Sequence, residues 1–324
     1  MGKERNRTAS YFHRAYVVRR VLVFLIVVSL ASAAVFAVFT LRGKANAGKE
    51  LLALWEAGAY AEAFESSKRQ LAANPLDYLA LTINGFSAYQ LGIAQINSSD
   101  TLRFIDQCVW SLRKALLSKR TSDLGELYYV LGKAYYHKGP AFADLAVEFL
   151  EQARLLSFRA QDISEFLGLS YARIRDYRSS IAAFAQALAP QDEAGTVPSD
   201  LLLISIARSY MALGDIDGEA PQGEYLAMAK PYLIRCIESS RDINTITAGR
   251  FLYAEILGKE GNAGEAESQY QLVLEETGGN AEAYYRLGEL YAGRGETARA
   301  WAEWRRAVRL DPAHRKARQR LQAR

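Results

Sequence analysis

Residues 281–312 read AEAYYRLGELYAGRGETARAWAEWRRAVRLDP. Tyr284, Leu287, Gly288 and Tyr291 fall at i, i+3, i+4 and i+7, one face of a helix. Gly295 breaks that helix. Ala300, Trp304 and Ala307 line a second one, which Asp311-Pro312 stops. The stretch therefore predicts a helical hairpin with small, large and aromatic residues in a set order along its apolar faces. One hairpin cannot bury both faces, so the pattern has to recur.

It recurs at a period near 34 residues. Thr247–Asn280 repeats it without a gap, through Tyr253-Ala254, Leu257, Gly261, Ala266, Tyr270 and Val273. Residues 200–240 carry Ile206-Ala207, Tyr210, Gly214, Ala229, Leu233 and Cys236. Residues 161–194 carry Leu167-Gly168, Tyr171, Ser180, Phe184 and Ala187, and residues 125–158 carry Leu131-Gly132, Tyr135, Gly139, Ala146, Leu150 and Ala153. A looser copy spans 78–119 with Leu81, Gly85, Ala88, Gly92, Cys108, Leu112 and Ala115. The first, about 44–75, keeps Leu54, Gly58, Tyr60, Ala63 and Asn74-Pro75. With 281–314 this makes seven copies. The small residue admits the neighbouring helix and the large one fills the space between helices. A generic bundle of amphipathic helices would share the apolar spacing but not the order. The pattern resembles a tetratricopeptide repeat, and the expected fold is all-α, an α-solenoid over residues 42–314.

Composition agrees with helix throughout. The 324 residues are half hydrophobic and include only seven prolines. No run alternates apolar and polar residues as a sheet would require. Residues 1–49 hold nine Lys/Arg against one acid, net +8, whereas residues 50–324 hold 31 bases and 35 acids, net −4. The basic pI comes from the N-terminus and is no argument for nucleic acid.

Val21 to Leu41, VLVFLIVVSLASAAVFAVFTL, contains no charge over 21 residues. That is long enough to cross the ~30 Å apolar core of a bilayer as a helix. Lys3, Arg5, Arg7, Arg14, Arg19 and Arg20 precede it, opposed only by Glu4, which places stub 1–20 in the cytoplasm and the repeats outside it. An anchor ahead of such repeats looks like bacterial envelope proteins, a resemblance that implies an inner membrane and periplasm. Ala45-Asn46-Ala47 has the small-x-small form of a signal cleavage site. The apolar run, however, exceeds a signal's usual ~7–15 residues, and Arg42 and Lys44 sit where cleavage regions are uncharged. The segment is read as a retained anchor.

Two repeats carry extra residues between their helices, Ile93–Arg103 and Asp215–Leu226. Both are expected as loops on one edge of the array, where added loops often bind partners. A shorter insertion, Pro140–Asp144, lies in the third copy. Residues 294–324 hold ten bases and three acids, net +7, leaving −11 for 50–293. Arg315, Lys316, Arg318 and Arg320 read as the polar face of a closing helix in the tail 315–324.

No catalytic constellation is present. His13, His137 and His314 are scattered without ligand-spaced companions, so neither a metal nor a cofactor is expected. Phosphate loop and nucleophile elbow are absent, Gly278-Gly279 being a turn. Cys108 and Cys236 occupy packing positions three repeats apart, beyond the ~7 Å reach of a disulfide. The chain is read as a non-enzyme with no small-molecule substrate.

The resemblance supplies the expected mode of binding. In related repeat proteins the first helices line a concave groove that grips an extended peptide or a helix. The corresponding positions here are Phe86, Tyr89, Tyr129, Lys133, Tyr136, Arg208, Met211, Phe251 and Tyr285. The family's chaperone-binding members clamp a C-terminal carboxylate with Lys and Asn. Those sites hold Thr82 and Phe86, Tyr129 and Lys133, or Glu165 and Leu169, so that clamp is missing. The expected function is a membrane-anchored scaffold assembling envelope proteins, with the bilayer itself contacted by residues 21–41. A periplasmic chaperone for envelope clients and a regulatory subunit of a membrane enzyme share the same fold.

Overall fold

The computed structural model describes residues 47–118, 123–193, 198–218 and 220–323. The anchor at 21–41, its basic stub and the cleavage-like Ala45-Asn46 lie outside the described residues. Among those described, no helix is long and apolar enough to cross a membrane.

The described chain is all-α, with fifteen α-helices and no strand. Two compact units divide at Ser122. The first holds α1 (47–56), α2 (Tyr60–Ala73), α3 (Tyr78–Ile93) and α4 (Ser98–Ala115). The second runs through α5 (Leu124–Lys138), α6 (Ala143–Leu155), α7 (Ile163–Arg173), α8 (Tyr177–Glu193), α9 (Asp200–Ile216) and α10 (Gln222–Ser239). It continues with α11 (Ile243–Lys259), α12 (Ala263–Thr277), α13 (Ala281–Gly293), α14 (Thr297–Leu310) and α15 (Arg315–Gln322).

In the second unit each helix packs against its neighbours in sequence, and α5, α7, α9 and α11 also touch in series. The first helices of the hairpins thus form an inner layer and the second helices an outer one. Helix starts are capped by Ser199, whose hydroxyl accepts from the Leu202 amide, and by Asp242 and Asn280, whose side chains accept from Thr245 and Ala283.

Close helix approach depends on the missing side chain of Gly132. A Cβ there would stand 2.5 Å from Leu150 Cγ and 3.0 Å from the Leu150 backbone nitrogen. Around this contact Leu131, Leu150 and Ala153 are fully buried. The turn within a hairpin needs a left-handed residue. Gly58, Gly261 and Gly295 supply it at φ 71°, 84° and 78°, but between α7 and α8 the same place is held by Arg175 at φ 65°.

The two expected insertion loops take another form. Ile93 closes α3 and Ser98 opens α4, so only residues 94–97 connect them, and α4 reaches 18 residues. The second insertion lengthens α9 to Ile216 and starts α10 at Gln222. Extra residues here continue helices because added turns gain backbone hydrogen bonds that a long loop would leave to water. Pro140–Phe142 form a single 3-10 turn.

Candidate functional site

On α5, Tyr129, Lys133 and Tyr136 stand at i, i+4 and i+7, one stripe on the inner layer. The facing stripe on α7 carries Asp162, at its start, then Phe166 and Arg173. Asp162 is the junction. Tyr129 donates its hydroxyl to Asp162 Oδ1 at 2.5 Å, and Lys133 Nζ donates to Asp162 Oδ2 at 2.6 Å and to the Tyr129 oxygen at 2.9 Å. The same ammonium lies 4.5 Å from the Phe166 ring centroid and 4.9 Å from that of Tyr129. Lys133 is only 13% exposed, so its charge is met by a carboxylate and two aromatic faces.

One turn further along, the Arg173 guanidinium lies 3.5 Å from the Tyr136 ring centroid and donates to the Tyr136 carbonyl. Tyr136 meets Phe166 edge to face at 5.2 Å. His137 lies against Phe166 at 5.8 Å. Burial, then the positive charges of Lys133 and Arg173, pull His137 down from 6.5 to about 4. The imidazole is therefore neutral at physiological pH. Glu165 is pushed up by burial and by Asp162, partly opposed by the Ser199 hydroxyl at the start of α9.

The nine residues expected to line the groove divide. Tyr129, Lys133 and Tyr136 come together as described, all half-buried. Arg208 on α9 is exposed and makes no hydrogen bond or ion pair among the described residues. Phe251 is half-buried and packs on Tyr270. The other four are core residues and are closed to a partner. Phe86, 4% exposed, packs on Trp55, and Tyr89 is buried in the same unit. Met211 belongs to the cluster with Leu226, Ala229 and Leu233. Tyr285 is buried beside His314. What covers them differs: Trp55 of α1 lies on Phe86, α10 on Met211, and His314 before α15 on Tyr285.

Asp162, Phe166 and Arg173 were absent from the sequence reading. The signal for Asp162 is its place as the acidic residue just before α7, in the next hairpin after Tyr129; the repeat period itself points to Glu165 instead. Chemically the patch offers aromatic faces, a guanidinium and buried, neutralised charges, a surface for contact. Among the described residues no group of three His, Cys, Asp or Glu side chains could hold a metal ion.

No family model matches the sequence, and no curated protein does. Solved structures do. The C-terminal part of a tetratricopeptide repeat-containing protein from Cytophaga hutchinsonii aligns with a TM-score of 0.58 at 16% identity, over 84% of this chain and 98% of that one. A tetratricopeptide-repeat protein of Thermus thermophilus gives 0.43 at 17% identity, over 60% of this chain and 96% of its own. The human IFIT1 dimer with PPP-AAAA gives 0.48 at 16% identity, covering 78% of this chain and 56% of that one. The first of these likenesses establishes the fold, an all-α solenoid of tetratricopeptide type.

Proposed function

We propose that the chain is a non-catalytic scaffold that binds other proteins through the inner face of its second unit and is held to a membrane by residues 21–41. The observation that supports this most is the α5–α7–α9 surface. Tyr129, Tyr136 and Phe166 present rings fixed by Asp162, Lys133 and Arg173, with Arg208 exposed on the next inner helix. Rigid aromatic and guanidinium groups lose little side-chain entropy when a partner is bound, which is why they recur as interface anchors. The reading of the anchor rests on 21 uncharged residues behind a basic stub. It puts the solenoid on the extracytoplasmic side, where confinement beside the bilayer raises the effective concentration of membrane partners.

The test is a mild-detergent pull-down of the full-length chain beside Tyr136→Ala/Arg208→Glu. Loss of partners from a variant that keeps its helical circular dichroism supports the inner-face assignment. Partners retained unchanged overturn it. Cysteines introduced at Ser10 and Ser199, probed in whole cells with an impermeant thiol reagent, read the topology. Labelling of Ser10→Cys but not Ser199→Cys would reverse the proposed orientation.

A further inference from the structure

The first unit contains a surface cleft of about 390 Å³ between α2 and α4, with Leu91 of α3 at its side. That is within the ~300–1,000 Å³ of clefts that hold small ligands. Its walls are the rings of Phe64 and Phe104, edge to face at 5.7 Å. Above each ring lies a cation: Lys68 is 5.7 Å from the Phe64 centroid and Arg103 is 5.0 Å from that of Phe104. Arg103 ends the stretch by which α4 is lengthened, and Phe104 follows it directly. The extra turn therefore helps to build one wall.

At the inner end lies Gln107, whose orientation follows from a fully buried asparagine. Asn84 is 0% exposed. Its Nδ2 donates to the Phe64 carbonyl at 3.4 Å and to Ser67 Oγ at 2.9 Å, and a backbone carbonyl can only accept. Asn84 Oδ1 must then face the other way, where it accepts from Ser111 Oγ at 2.7 Å and from Gln107 Nε2 at 2.9 Å. Gln107 Nε2 also donates to Ser111 Oγ at 3.2 Å. The amide nitrogen of Gln107 is thereby committed inward. Its carbonyl oxygen has no partner among the described residues, an acceptor waiting at the cleft.

We propose that this cleft is a second peptide-binding site, separate from the inner face of the other unit. It takes a protein segment that packs one large apolar side chain against the touching rings of Phe64 and Phe104, donates a backbone N–H to Gln107, and sets flanking carboxylates against Lys68 and Arg103. The charge match is available. Lys68 and Arg103 are 61% and 71% exposed, and Glu65 and Asp100 reach them only at 3.5 and 3.6 Å within their own helices. Such exposed intrahelical pairs are weak enough for an incoming carboxylate to replace.

Calorimetric titration of the full-length chain in detergent tests this with the acetylated peptide Gly-Ser-Glu-Phe-Glu-Ser-Gly. The controls replace its Phe by Ala, or both Glu by Lys, or offer N-acetylphenylalanine amide alone. The Glu-Phe-Glu peptide should bind at least tenfold tighter than every control. Ala61→Trp, on an exposed position lining the cleft, should abolish binding by filling it. K68E/R103E should weaken it at least tenfold and favour the Lys-containing peptide, while Arg208→Glu leaves it unchanged. No binding, equal binding of the Ala peptide or of N-acetylphenylalanine amide, or full binding by Ala61→Trp would each overturn the proposal.

Discussion

Replacing Gly132 by Ala should destabilise the α5–α6 hairpin even though alanine is the better helix former. Gly→Ala in a helix interior gains ~1 kcal/mol of propensity. Against that stands the methyl group, 2.5 Å from Leu150 Cγ, 2.9 Å from Cδ2 and 3.0 Å from the backbone nitrogen of Leu150. Two of these atoms can turn aside; the third moves only if α6 moves. Overpacking of this kind costs ~1–3 kcal/mol, and the backbone contact puts this case in the upper part of that range. The net expectation is a loss of about 1–2 kcal/mol. Leu150→Ala removes a fully buried side chain and should cost ~2–5 kcal/mol through lost transfer energy and a cavity. The double variant fills part of that cavity with the new methyl, so its cost should fall short of the sum by about 1 kcal/mol. Urea unfolding by circular dichroism gives the totals. Because stacked repeats open locally, amide exchange in α5 and α6 shows where the loss falls. A neutral or stabilising Gly132→Ala, or an additive cycle, would refute the close-approach argument.

Four further outcomes rest on other parts of the structure. Arg175→Gly should stabilise by ~0.5–1 kcal/mol, since it relieves a left-handed backbone at an exposed turn, and a lowered urea midpoint would contradict this. His137 falls to about 4 from 6.5, so the unfolded chain takes up a proton in that window which the folded chain refuses. Acidification from 6.5 towards 4 should therefore remove stability, on the order of 1 kcal/mol after solvent screening, and His137→Asn should abolish that slope. Cys108 and Cys236 are buried, and burial is the main cause that raises both thiols, Cys236 to about 11. Neither should react with Ellman's reagent until the chain is denatured, and rapid native labelling would contradict their packing. Asn84→Leu leaves the buried Ser111 hydroxyl without its acceptor, while Ser67 keeps the Phe64 carbonyl and Gln107 keeps Ser111, and it should cost ~1–3 kcal/mol by urea unfolding.

What could be read in advance was whatever a single position must satisfy by itself. Gly132, Gly168 and Gly288 mark close helix approach because no other residue leaves the room: added methyls would lie 2.4–2.5 Å from Leu150, Phe184 and Trp304. That requirement repeats with the period of the fold, so the period exposes it. The groove depends instead on what stands opposite. Periodicity places Phe86 and Lys133 at equivalent steps of the repeat, yet Phe86 is roofed by Trp55 while Lys133 is held out to Asp162. Neither partner is fixed by the repeat pattern, so equivalent positions become core in one hairpin and surface in another. The insertions fail for a related reason. Their composition allows a loop, but continued hydrogen bonding favours helix, and the turn gained by α4 brings Arg103 and Phe104 to face Phe64. The cleft is thus a product of three helices meeting. Its one sequence trace is Asn84, a polar residue at a helix position where the repeat expects something apolar. Such a residue is tolerated only when all of its hydrogen bonds are met, and meeting them is what turns the Gln107 carbonyl outward.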